Sequence, residues 1–318
     1  MKAGRIAWMT TPLAELHMHI EGSLEPPQIF QFAERNGITL PYSDIDELRE
    51  LYEFTDLQAF LNLYYANTDV LRTAEDFADL ARAYFSRAAA GGVTHAEIFF
   101  DPQAHTSRGV PLEAVVEGLA DAAASSEREF GVTSGLIASI LRDKPVLHAN
   151  KLLDDLLAMQ APIIGLGLDS AEVGFPPSLF VDVFAKARAE GLHVVAHAGE
   201  EGPAEYIWEA LDLLGAERID HGIRCLEDDA LVNRLVEEEI PLTVCPLSNV
   251  RLQVTPDLKD HPIRQMIERG LIVTINSDDP AYFGGYVDDN FAALVDRLGL
   301  TDREREILYD NSIKASFN

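Results

Sequence analysis

Eight short apolar runs constrain this chain more than any other feature of its sequence. Each is followed by a polar or glycine-containing cluster, and most by one amphipathic segment of helical period. The runs cover residues 14–20, 94–100, 134–141, 162–168, 193–198, 218–221, 241–245 and 271–276. Apolar runs of this length, bounded by turn formers, read as strands; segments such as 179–190, 228–239 and 261–269 read as helices. A strand–helix alternation repeated eight times predicts an α/β fold, a (β/α)8 TIM-type barrel of parallel strands. The 318 residues suit one such barrel as a single domain, 1–318. The competing layout is a doubly wound open sheet, and no G-x-G-x-x-G follows the first strand.

The interval between the first two strands is too long for a single crossover helix. Residues from about 24 to 92 read as a helical insertion after strand 1. Within it Leu57, Phe60, Leu61 and Tyr64 keep the i, i+3, i+4, i+7 spacing of one buried face. Thr73 with Asp76 resembles a capping box, and Gly91 with Gly92 makes a stop. The insert is expected above the C-terminal mouth of the barrel, where it can act as a lid.

Composition enters as a set of exclusions. Hydrophobic residues make up 47% of the chain and charged ones 25%, which describes a full core and excludes wholesale disorder. A net charge of -28 repels a phosphate backbone, so no nucleic-acid partner is expected. Cys225 and Cys245 are too few and too far apart for a disulfide framework and read as reduced thiols. The N-terminus lacks the apolar run of a secretory leader, and no stretch approaches the ~20 apolar residues of a membrane span. A cytoplasmic enzyme with a small-molecule substrate and no membrane partner is the expectation; a homo-oligomer is compatible with it.

In a barrel of this kind, side chains at the C-terminal strand ends converge on one mouth. Strand one ends in "ELHMHIEGS", whose His17 and His19, two residues apart, share a face. Strand five ends in "VVAHAGEEG", with His197 and then Glu200; strand six ends in "RIDHG", with His221. Strand eight leads into "INSDDPAYFGG", with Asp278 and Asp279. Each piece alone has an ordinary explanation, as a loop histidine, a core histidine or a turn. Together they place three imidazoles and a carboxylate, His17, His19, His197 and Asp278, as ligands for Zn2+ with one position left for water. Zinc-bound water becomes a nucleophile near neutral pH. Glu200 can then shuttle a proton, His221 can orient or deprotonate the water, and Asp279 can fix the substrate. His95, His105, His148, His193 and His261 read as ordinary histidines.

The stretches "ELHMHIEGSLEP", "LGLDSAEVG", "VAHAGE", "RIDHGIR", "PLTVCPLSN" and "INSDDPAYFGG" resemble the adenosine and adenine deaminases of the amidohydrolase superfamily, in family order from about residue 12 to the C-terminus. The resemblance implies zinc on His17, His19, His197 and Asp278, Glu200 as proton donor to purine N1, His221 as helper of the hydroxide, and Asp279 at the ring, at N7. The implied reaction is hydrolytic deamination at C6 of a 6-aminopurine. The other zinc deaminase design, with H-x-E and P-C-x-x-C, is absent.

Two departures separate free base from nucleoside. Adenosine enzymes of the family typically carry Asp where this chain has Glu21, and Gly-Gly-Asp-Glu where it has Leu168-Asp169-Ser170. Both changes are expected to shrink the ribose space and to offer acceptors to a bare N9–H. The implied substrate is adenine, giving hypoxanthine and ammonia in purine salvage; adenosine and N6-substituted adenines are the alternatives. A non-catalytic purine binder would be free to lose Glu200, which is present. A hydrolase with two metals would need a bridging lysine, and none stands at a strand end.

Overall fold

The computed structural model describes residues 12–317. Eight parallel strands run in sequence order: β1 (Leu13–His19), β2 (Val93–Phe100), β3 (Thr133–Leu141), β4 (Gly165–Asp169), β5 (His193–Ala198), β6 (Arg218–His221), β7 (Leu242–Val244) and β8 (Val273–Ile275). Each of the eight expected runs overlaps a strand, and β5 and β6 coincide with theirs. The seam between the last strand and the first is closed by backbone hydrogen bonds: His19 N–H donates to Asp278 O at 2.9 Å and Asp278 N–H to His17 O at 3.0 Å. Asn276 adds a side-chain oxygen that accepts from Leu16 N–H at 2.8 Å. Barrel closure therefore sets residue 278 against residues 17 and 19, as adjacent strand pairing requires.

β1 is buried at all seven positions, because one face looks into the barrel and the other lies under helices. A bulge sets Glu15 to Met18 against only Ala96 to Ile98 of β2, which adds local twist just before the two histidines.

The segment after β1 holds α1 (Pro26–Asn36), α2 (Ile45–Glu50), α3 (Leu57–Asn67) and α4 (Ala74–Ala90). Helix α3 buries Leu57, Phe60, Leu61 and Tyr64. The Thr73–Asp76 capping box starts α4, and the chain leaves it through Gly91 and Gly92, with Gly92 at φ 92°. One expectation changes. Helix α4 does not belong to a lid: it packs on β2 and on the helix Leu112–Phe130, in the outer ring. Tyr84 of α4 donates to buried Glu15 at 2.7 Å, which fixes it against β1. The part of the insert over the mouth is thus shorter than 24–92.

The opposite end of the barrel is plugged. Arg218, fully buried, donates to Glu97 at 2.6 Å and to Ala315 O and Leu16 O at 3.2 Å, and its guanidinium lies 4.3 Å over the Phe317 ring. The helix Asp302–Lys314 packs against β1 and β8 and carries the chain to this plug. Cys225 and Cys245 are both buried and unpaired. Among the described residues no helix is long and apolar enough to cross a membrane; the reading of the N-terminus falls largely on residues 1–11, outside them.

Candidate active site

The strand ends bring His17, His19, His197, Glu200, His221, Asp278 and Asp279 into one buried cluster. His17 Nε2 lies 3.4 Å and His19 Nε2 3.5 Å from Asp278 Oδ1, and His19 Nε2 lies 3.2 Å from His197 Nε2. Ligand atoms about 2.0–2.1 Å from one Zn2+ stand about 3–3.5 Å from their neighbours. These three separations fall in that range, while the four residues whose ligand atoms all lie within 4.8 Å of one another are His17, His197, His221 and Asp278, with His221 in the place expected for His19.

The hydrogen bonding around the cluster agrees. His17 Nδ1 sits 3.0 Å from Thr243 Oγ1 and 3.1 Å from Thr243 O, so Nδ1 carries the proton and donates to the carbonyl. Its Nε2 is buried without a partner and faces the cluster as a lone pair. His197 Nδ1 lies 3.4 Å from Asp220 Oδ2, the outer carboxylate that orients a ligating imidazole. Buried lone pairs set against each other at these distances are what a bound cation satisfies. His221 also comes close: ligand atoms of His17, His197, His221 and Asp278 all lie within 4.8 Å of one another. Its Nε2 is 3.5 Å from Glu200 Oε2 and 3.8 Å from Asp278 Oδ2, which sets it between those carboxyl groups.

Backbone strain aims these side chains. Six non-glycine residues among those described have positive φ, and three line the same cavity: Ser170 (71°), His221 (62°) and Asp278 (63°). Such conformations cost energy and persist where the surroundings hold them. Gly22 in "HIEGS" is a matter of space: a Cβ there would fall 2.0 Å from Asp279 Oδ1.

The electrostatics divide the carboxyl groups by role. Burial, and then the charge of Asp278, pushes Glu200 well above the usual carboxylate range. Asp279 is raised for the same two reasons. Burial also works on Asp278, but the neighbouring imidazoles, His17 first and then His221 and His19, hold it well below that range. Burial followed by His197 lowers His19 to about 3, and burial followed by His17 lowers His221. The site thus sets Glu200 and Asp279, whose proton affinity is raised, beside Asp278, His19 and His221, whose proton affinity is lowered, an arrangement for acid–base work.

A cavity of about 40 Å³, measured to the centre of a water-sized sphere, opens beside the cluster. Leu57, Phe60, Leu61, Tyr64 and Tyr65 of α3 roof it. Phe60 packs on Phe283 at 4.6 Å between ring centres, so the roof is tied to the loop that carries Asp278 and Asp279.

Glu21 does not line this cavity. It is fully buried, and its Oε1 accepts from His105 Nε2 at 2.7 Å and from Asp101 N–H at 3.1 Å. The expectation that it faces the substrate is therefore corrected: it lies behind Asp101. His105, read as an ordinary histidine, is its partner.

Besides Asp220, three residues escaped the sequence reading. Asp101, directly after β2, lines the cavity; inspecting that strand end as the others were inspected would have found it. Glu172 is 1% exposed, and its carboxylate accepts four consecutive N–H groups, from Gly199 (2.6 Å), Glu200 (3.1 Å), Glu201 (2.8 Å) and Gly202 (2.7 Å). Arg142 donates to His197 O at 2.6 Å. Glu172 and Arg142 bind backbone, and no side-chain pattern announces that.

Comparison with known proteins comes to the same place. The family profile described as adenosine deaminase matches residues 12–318. An adenine deaminase of Ectopseudomonas mendocina is 55% identical over 309 residues, 97% of this chain and 98% of its own. One of Streptomyces coelicolor is 57% identical over 317 residues, 100% of this chain and 93% of its own. The crystal structure of adenine deaminase from Arthrobacter aurescens superposes with a TM-score of 0.96 at 63% identity, covering 97% of this chain and 94% of that one. An amidohydrolase from Burkholderia ambifaria, solved with bound Zn, superposes at 0.90 with 27% identity, covering 100% and 90%.

Proposed function

Because the chain belongs to the adenosine deaminase family, we propose that it is a zinc-dependent adenine deaminase. On this reading it converts adenine and water to hypoxanthine and ammonia in cytoplasmic purine salvage, the whole chain acting as one barrel domain. The substrate follows the adenine deaminases it resembles at 55–57% identity. The observation that carries the chemistry is the approach of His17 and His19 to Asp278 at 3.4 and 3.5 Å and of His19 to His197 at 3.2 Å, with Glu200, its proton affinity raised by burial, beside them.

Those four residues would hold the zinc, whose bound form supplies a Lewis acid that makes water nucleophilic near neutral pH. Glu200, its proton affinity raised by burial and by Asp278, gives its proton to N1 of the purine, which draws electrons from C6 as water adds there. His221, set between Glu200 and Asp278, takes the proton that the water loses and passes it towards the leaving amino nitrogen. Asp279, raised in the same way, donates to N7, a lone-pair acceptor that an ionised carboxylate would repel. The apolar residues of α3 keep bulk water from the reacting ring.

The test is ammonia release from adenine, adenosine and N6-methyladenine by zinc-loaded enzyme, with metal content measured by mass spectrometry. The reading expects adenine to be preferred and Glu200→Gln to abolish turnover while zinc stays bound. Faster turnover of adenosine, or full activity in that variant, refutes it.

A further inference from the structure

The proposed chemistry uses Glu200, Asp278 and Asp279, yet two more carboxyl groups line the same cavity. Asp101 and Asp169 are each 2% exposed. Oδ1 of Asp101 and both oxygens of Asp169 are buried, and the groups beside them, each other's carboxyl, Ser139 and His19 Nδ1, do not complete a hydrogen bond of ordinary geometry. Oxygen atoms of the two and a nitrogen of His19 lie within 4.8 Å of one another. Asp169 stands 3.6 Å from His19 Nδ1, on the side of that ring away from His197 and Asp278. Buried carboxyl oxygens without donors are costly. A fold that keeps two of them at one end of a ligand cavity is built for a ligand that brings an N–H.

The wall behind them closes that end. Tyr65 donates from its hydroxyl to Ser170 Oγ at 3.1 Å. On the far side of Tyr65 lies a second cavity of about 170 Å³, lined also by Ala104, Ser107, Arg108, Leu141 and Lys144. Ser170 holds its position at φ 71°, a conformation in which a side chain is strained. A side chain kept there in spite of strain, and pinned by Tyr65, separates the two spaces.

We propose that Asp101 and Asp169 form the subsite that accepts the imidazole N–H of a purine with no N9 substituent, and that Tyr65, held by Ser170, excludes the substituted ones. The inference rests on the reading of the site as an adenine deaminase and gives the physical basis for its choice of free base. With Asp279 donating to N7, the 9H tautomer turns N9–H away from Asp279, and Asp101 and Asp169, in the same cavity, would receive it. A 9-alkyl purine offers no donor and leaves both carboxyl groups unsatisfied. Sites built to bond a substrate N–H reject the analogue lacking it by about 10⁴–10⁵-fold. Glu21 and His105 lie beneath Asp101 and support it through its backbone.

The experiment compares kcat/KM for adenine, 9-methyladenine and adenosine in zinc-loaded wild type, Asp101→Ala, Asp101→Asn and Tyr65→Ala. Wild type is expected to favour adenine over 9-methyladenine by at least about 10³-fold. Asp101→Ala should lower adenine turnover about 100-fold and change 9-methyladenine less than threefold, so that the ratio collapses. Asp101→Asn keeps the shape and should reduce the ratio about tenfold, which decides the matter if the alanine variant does not fold. Tyr65→Ala should raise turnover of 9-methyladenine and adenosine at least tenfold. Asp101 variants that deaminate adenine with the wild-type ratio overturn the subsite, and a Tyr65→Ala enzyme no better on adenosine overturns the wall. A wild-type chain that leaves adenine untouched overturns the reading of function beneath both.

Discussion

Replacing Glu172 by Gln tests how the acid of the site is held. The carboxylate is wrapped by the loop 199–202: Oε1 accepts from Gly199, and Oε2 accepts from Glu200, Glu201 and Gly202. The wrap is close enough that a Cβ on Gly202 would come 2.5 Å from Oε1. A glutamine has one acceptor oxygen with two lone pairs, and its NH2 would face N–H groups on the other side. With the amide oxygen in the Oε2 position Gly199 loses its acceptor, and in the reverse orientation the other three donors do. Each buried donor left without a partner costs about 1–3 kcal/mol, so the change costs at least about 1–3 kcal/mol if the loop stays in place. The loop will not keep its place at that cost. It will move to find water, and it will take Glu200 with it. Loss of about 3 kcal/mol of transition-state stabilisation corresponds to a kcat lower by about 100-fold. The assay is steady-state kinetics on adenine for Glu172→Gln, Glu200→Gln and the double variant, with zinc content and urea unfolding in parallel. If Glu172 acts by positioning Glu200, the double variant is no slower than Glu200→Gln alone. Multiplicative losses in the double variant, or a Glu172→Gln enzyme within twofold of wild-type kcat, would refute the reasoning.

Three further outcomes follow from other parts of the molecule. Arg218→Ala leaves Glu97 buried without its partner, so urea unfolding should show a loss of about 3–5 kcal/mol, while replacing both residues with apolar ones of similar size should recover most of it. His261 accepts from Ile263 N–H on Nδ1 and so donates from Nε2 to Asn249, and burial lowers it from 6.5 to about 4. The unfolded chain then binds this proton first as pH falls. Stability should drop between pH 6.5 and 4, by up to about 3 kcal/mol, and be independent of this group above 6.5. His261→Gln should flatten that slope in denaturation midpoints measured across the range; an unchanged slope contradicts the assignment. Gly22→Ala sets a methyl against Asp279, and activity on adenine should fall at least 100-fold with zinc retained; near-normal activity would mean that Asp279 has room to shift.

The alternation of eight apolar runs was enough to specify the barrel, because a parallel strand buried on both faces must read as a short apolar run and its crossover as an amphipathic helix. The strand-end histidines and aspartates were legible for a related reason. Polar side chains that end buried strands have one common destination, the mouth. Sequence alone also singled out Ser170 as a place of interest, without its reason: the left-handed backbone held by Tyr65.

Other features were settled only in three dimensions. Helix α4 has the capping and the apolar face of any insert helix, and only its packing on Leu112–Phe130 and its bond to Glu15 put it in the outer ring. Glu21 stood beside His17 and His19 in sequence, yet the 3-10 turn Glu21–Ser23 turns it under Asp101, so its neighbour in space reaches the cavity in its stead. Glu172 and Arg142 act on the backbone of loops from other strands, and backbone N–H and C=O groups are the same at every residue. Periodicity reports which side chains are buried together along one element. It carries no record of which loop lies across the barrel to receive a carboxylate, and that is decided when the barrel closes.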